Sequence, residues 1–159
     1  MKTLRLPDPE ATAALGRALA ATRPSAAVLH LAGDLGAGKS TLARELLRAL
    51  GVEGPIRSPT YTLVERYPVP GGEAWHLDLY RIGDPGELEF LGLDPSDASL
   101  WLVEWPERGS GALPPPDLRI ELDHLPSGRE ARLTALSPAG DGWLTAATAA
   151  FTALIFTVD

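Results

Sequence analysis

Cysteine, asparagine and glutamine are absent from all 159 residues, and lysine occurs only twice, at Lys2 and Lys39. Without cysteine there is no disulfide scaffold, no thiol nucleophile and no Cys-based metal or iron–sulfur centre. That fits a reducing compartment and leads us to expect a cytoplasmic protein. Without asparagine there is no Asn-Lys-x-Asp guanine reader, and without glutamine no water-positioning Gln, so a GTPase of the Ras type is excluded. A basic excess is missing as well: 14 Lys and Arg face 21 Asp and Glu, for a net charge of −7. A direct nucleic-acid reader is normally basic, because phosphate neutralisation dominates its affinity. Contact with nucleic acid is therefore expected only indirectly, through a basic partner. Long hydrophobic runs are lacking too. Asp8 and Glu10 interrupt the N-terminus too early for a signal peptide. The longest uncharged stretch, Gly142 to Val158, is too short and too rich in threonine for a membrane span.

What remains is ordinary globular composition, 45 % apolar and 22 % charged, at a length suited to one core. Thr3 to Leu6 alternates as a short strand would. Asp8-Pro9-Glu10 reads as an N-cap with proline in the first helical turn, and the helix runs to about Thr22. Ala26 to Leu31 is an apolar run suited to a buried parallel strand. After a glycine-rich loop, Lys39 to Leu50 forms an amphipathic helix stopped by Gly51. Thr60 to Tyr67 and Ala74 to Tyr80 are expected as strands around a turn at 68–73. Asp84-Pro85-Gly86-Glu87 opens a short helix. Leu100 to Val103 is a second buried run that ends in Glu104, and Leu118 to Leu125 with Glu130 to Leu136 reads as a hairpin. The order predicts an α/β fold: a P-loop NTPase-like single domain with a central mixed, partly parallel sheet flanked by helices. The domain is expected over residues 1–138, followed by a tail over 139–159. In that tail Trp143, Ala147, Phe151, Leu154 and Val158 lie on one helical face, as in a helix packed on the sheet. A membrane-surface helix would need Lys or Arg for lipid headgroups, and the tail has neither.

Gly33-Asp34-Leu35-Gly36-Ala37-Gly38-Lys39-Ser40 satisfies G-x-x-x-x-G-K-[ST] at every position. The glycines let successive N–H groups converge, and with the following helix N-terminus they form an anion cradle. Lys39 can reach β- and γ-phosphate oxygens, and the Ser40 hydroxyl can ligate magnesium. Random shuffling at this composition would produce the pattern in roughly 0.2 % of sequences, so coincidence is a poor explanation. Twelve arginines show a strong preference for Arg, yet the one interior lysine stands where a compact ammonium fits between phosphates and a planar guanidinium does not.

Such a loop needs an acidic partner at the end of a neighbouring strand, for magnesium or its water shell. Glu104 and Asp78 are the candidates. Ser58 to Glu65 carries three hydroxyl residues, a proline and a tyrosine where nucleotide-binding domains place their γ-phosphate sensor. His76 and His30 read as strand or core histidines, and His124 has no metal-like neighbours in the sequence.

Four blocks taken together, the P-loop, Ser58-Pro59-Thr60-Tyr61-Thr62-Leu63-Val64-Glu65, His76-Leu77-Asp78-Leu79-Tyr80-Arg81 and Glu104-Trp105-Pro106-Glu107-Arg108, resemble the bacterial TsaE (YjeE) ATPases, in order and spacing from about Leu6 to Leu136. The resemblance implies an ATP- and Mg2+-dependent subunit in the synthesis of N6-threonylcarbamoyladenosine beside the tRNA anticodon. It implies TsaB and TsaD as partners, with tRNA met only through their complex, no membrane, and a monomer or weak self-association. By position, Gly36 to Thr41, including Ala37 and Gly38, would hold phosphates. Ser40 and Glu104 would serve the metal, and Lys39, Asp78 and Thr62 would be catalytic or switch residues. Thr12 would supply the hydroxyl near the adenine. The alternatives are a small-molecule P-loop kinase, for which no clustered Arg-rich lid is visible, and a nucleotide-gated interaction module with negligible turnover.

Overall fold

The structure, a computed structural model, describes residues 1–156. Its strands are β1 (Lys2–Leu6), β2 (Ala27–Gly33), β3 (Val64–Val69), β4 (Gly72–Asp78), β5 (Leu100–Glu104), β6 (Leu118–His124) and β7 (Arg129–Ala135). Its α-helices are α1 (Pro9–Thr22), α2 (Lys39–Ala49) and α3 (Pro138–Phe156). The seven strands form one mixed sheet in the order β1-β7-β6-β2-β5-β4-β3. β2 pairs in parallel with β5 and β6, and β4 in parallel with β5, while the two hairpins at the edges are antiparallel.

Alternation along the central strands decides which side chains meet the helices. Leu29 and Leu31, Leu100 and Leu102, and Leu118, Ile120 and Leu122 join residues of all three α-helices in one core. On the opposite face Trp75, Leu77, Trp101 and Val103 pack with Leu88 of a 3-10 turn, Pro85–Leu91, and with Ile82. The outer face of the β6–β7 hairpin is polar instead, with Arg132 bridging Glu121 and Asp123.

The expected elements are present, with β4 ending at Asp78 rather than Tyr80, a 3-10 turn in place of the short helix after Asp84, and three further differences. β3 starts at Val64, not Thr60, because Leu63 sits at φ 67° and its N–H closes onto the Pro59 carbonyl, so residues 60–63 form a turn. The β3–β4 turn is tighter than 68–73. Pro68 and Val69 remain in β3, where a proline is tolerated because β3 is a sheet edge. The C-terminal helix covers α1 as well as the β6–β7 side of the sheet. Trp143, Leu144, Ala147 and Phe151 enter the main core, and Trp143 Nε1 donates to the Leu19 carbonyl. Val158 lies outside the described residues. No helix of the described residues is long and apolar enough to cross a membrane.

His30 of β2 is 9 % exposed and its Nε2 has no hydrogen-bond partner. Burial, reinforced by Arg119 on the neighbouring strand, lowers its pKa to about 4. An unfolded histidine takes up its proton near pH 6.5, whereas the folded chain resists until about pH 4. Between those values the unfolded state binds more protons, so folding stability falls as pH falls. Against His30→Leu, the wild type should lose on the order of 2 kcal/mol more stability between pH 7 and pH 4. Urea denaturation of both proteins across that range would measure the difference, and parallel pH profiles would contradict it.

Candidate functional site

The cradle lies where β2 hands over to α2. Gly33 has φ 136°, and a Cβ there would stand 2.4 Å from the Leu122 carbonyl oxygen, so only glycine fits against β6. Gly38 caps α2 at φ 110°, which aims the first free N–H groups of the helix into the loop. Ala37 is fully buried beneath the loop, while Leu35 is exposed above it. Lys39 is 5 % exposed. Its Nζ donates to the carbonyls of Gly33 and Asp34 at 2.6 and 2.8 Å and lies 4.5 Å from the centre of the Trp105 ring. Burial lowers the Lys39 pKa, opposed by the nearby carboxylates of Glu104, Asp78, Asp34 and Glu107.

Parallel pairing sets the carboxylates side by side, because Asp78 at the end of β4 is in register with Glu104 at the end of β5. Both are buried. Ser40 Oγ donates to Glu104, 2.9 Å from Oε1 and 3.0 Å from Oε2. His76 Nε2 stands 2.6 Å from Glu104 Oε2. Asp78 Oδ1 accepts the Tyr80 backbone N–H at 3.0 Å, and its Oδ2 lies 3.4 Å from Thr60 Oγ1, which in turn meets Ser58 Oγ at 2.7 Å. Burial raises the Asp78 pKa and the Glu104 charge adds to it, against the Tyr80 N–H, His76 and Thr60.

Lys39, Ser40, Thr60, Asp78 and Glu104 line one cavity of about 340 Å3, together with Leu35, Gly36, Gly38, Thr41, Tyr80, Arg81, Trp105 and Arg129. Among the described residues, no three His, Asp or Glu side chains form a metal cage. Magnesium needs only one or two protein donors when phosphates and water complete its shell, and the Ser40–Glu104 pair beside an anion cradle meets that demand.

Not every expected residue reaches the cavity. Thr12 is buried in the first turns of α1 and does not line it. Thr62 is exposed, and its hydroxyl donates to Glu65 at 3.0 Å. Gly33 and Asp34 act from behind, through the carbonyls that hold Lys39. Three groups escaped the sequence reading. His76 is the buried strand histidine the sequence suggests and does not line the cavity, but its contact with Glu104 was not foreseen, and a signal for it exists: in Trp75-His76-Leu77-Asp78 the polar residues occupy one strand face, so His76 shares the side of Asp78. Arg129 starts β7 and donates from Nη2 to the Gly36 carbonyl at 3.2 Å, a contact created by the sheet order and invisible in local sequence. Tyr80 and Trp105 form a tilted ring pair at 5.0 Å, with Arg108 over both.

Residues 6–132 match the family model of the threonylcarbamoyl adenosine biosynthesis protein TsaE. The chain is 43 % identical over 123 residues to the tRNA threonylcarbamoyladenosine biosynthesis protein TsaE of Haemophilus influenzae, covering 76 % of this chain and 78 % of that one. It is 37 % identical over 138 residues to the protein of that name from Streptomyces coelicolor, covering 83 % and 93 %. The crystal structure of Bacillus subtilis YdiB superposes with a TM-score of 0.76 at 27 % identity, over 93 % of this chain and 94 % of that one. A cradle, a buried acidic pair and their strand order thus coincide with a family match across most of the chain, and the protein belongs to the TsaE family.

Proposed function

We propose that this protein binds ATP with magnesium and hydrolyses it as a subunit of the machinery that makes tRNA threonylcarbamoyladenosine, the process for which its family is named. The observation that carries the reading is the Ser40–Glu104 contact at the mouth of the P-loop, with Asp78 beside it. The loop N–H groups and Lys39 supply fixed positive charge for phosphate oxygens. Ser40 and Glu104 would hold the magnesium, which when bound neutralises phosphate charge. Asp78 faces the same cavity and is the group suited to orient or deprotonate an attacking water.

The segment above Asp78 behaves as a switch in this reading. Thr60 touches Asp78, and Leu63, at the base of that turn, holds a left-handed conformation that a leucine adopts only at a cost. An ordering contact there would complete the site. TsaB and TsaD are the proposed partners that provide it, and the acidic chain meets tRNA through them. Steady-state ATP turnover should be slow for the isolated chain and should rise when TsaB and TsaD are added. Turnover unchanged at saturating partner would contradict the partnership, and phosphorylation of a small metabolite without partners would favour a kinase.

A further inference from the structure

Glu104 is held from two sides. Ser40 Oγ lies nearly equidistant from its two carboxylate oxygens, while His76 takes only Oε2, at 2.6 Å. His76 reaches it from β4, on the strand face that also carries Asp78, and is 2 % exposed. An ionised carboxylate only accepts, so this bond requires the imidazole hydrogen on Nε2. Nδ1 is buried without a partner.

We infer that His76 is a positioning residue for Glu104. By engaging Oε2 it fixes the rotation of the carboxylate and keeps it facing Ser40, at the edge of the cavity. The need is physical. Glu104 stands in register with a second carboxylate, Asp78, and both are buried, so a carboxylate there without a polar partner would be costly. A ring donor at 2.6 Å on the same face supplies the anchor. His76 itself touches neither nucleotide nor metal in this assignment, and acts through Glu104 as outer groups act on metal-binding carboxylates. The inference rests on the reading of Ser40 and Glu104 as the magnesium pair.

The test is the affinity of the full chain for a non-hydrolysable ATP analogue as a function of magnesium, with circular dichroism to verify folding. His76→Leu removes the donor at similar volume, and His76→Gln returns an amide N–H near the place of Nε2. His76→Leu should raise the magnesium midpoint by about 10- to 100-fold, with metal-free affinity unchanged, and His76→Gln should restore it close to the wild-type value. An unshifted midpoint in His76→Leu, or an equal shift in both variants, would overturn the assignment. If His76→Leu does not fold, His76→Asn replaces it: its shorter amide cannot reach Glu104, so a midpoint equal to that of His76→Gln would overturn the assignment. A wild-type affinity that ignores magnesium would overturn the metal reading and this inference together, and it shows before any substitution is made.

Discussion

Lys39→Ala should lower ATP turnover by about a hundred- to a thousandfold, the loss expected when one strong electrostatic contact to a transferring group is removed. The ammonium is held within the loop. It is almost fully buried, with two loop carbonyls and the Trp105 face as neighbours. Burial lowers its pKa, but four nearby carboxylates counter this and favour the charged form. Lys39→Arg should fail almost as badly, because the space between the Gly33 and Asp34 carbonyls and the indole suits a compact cation and not a planar fork. Turnover of either variant within a few-fold of wild type, with an unchanged circular dichroism spectrum, would remove Lys39 from the chemistry.

The second large effect separates the two carboxylates. Glu104 contacts Ser40, so Glu104→Ala should weaken magnesium-dependent nucleotide binding and lower turnover as well. Asp78 contacts the Thr60 turn and not Ser40. Asp78→Ala should therefore leave ATP binding near normal while turnover falls by on the order of a hundredfold, since a group that positions or deprotonates water acts mainly in the transition state. The pH profile adds a sign. Asp78 works as a base only when ionised, and burial raises its pKa above the ordinary aspartate value. Turnover should thus decline on the acid side at a pH above that of an ordinary aspartate, and Asp78→Asn should lose that limb. Trp105 follows Glu104 and lies over Lys39, so its fluorescence offers a binding signal. Binding lost in Asp78→Ala and kept in Glu104→Ala would mean that the two roles are exchanged.

Much of this site is legible in the sequence because it is local. The glycines, Lys39 and Ser40 are contiguous, and the apolar strand before them with the amphipathic helix after them fixes their setting. Glu104 is legible because a carboxylate at the end of a fully buried run has few reasons to be there. The sequence is less informative where tertiary pairing decides. Thr60 to Leu63 has the composition of a strand, yet the left-handed Leu63 turns it back against Asp78. Thr62 consequently bonds Glu65. Arg129 lies 93 residues from the glycine whose carbonyl it contacts, and only the placement of the β6–β7 hairpin beside β2 brings them together. The tail shows its helical period plainly, but no periodicity announces that Trp143 would bond α1.

The cavity between the glycine-rich loop and the Asp78–Glu104 pair is the proposed magnesium–ATP site. Isothermal titration of the purified chain with ATP, ADP and GTP, each with and without magnesium, tests it most directly. ATP and ADP should bind in a magnesium-dependent way, with GTP no tighter. No nucleotide binding at all, or GTP bound about tenfold tighter than ATP, a difference of about 1.4 kcal/mol, would contradict it.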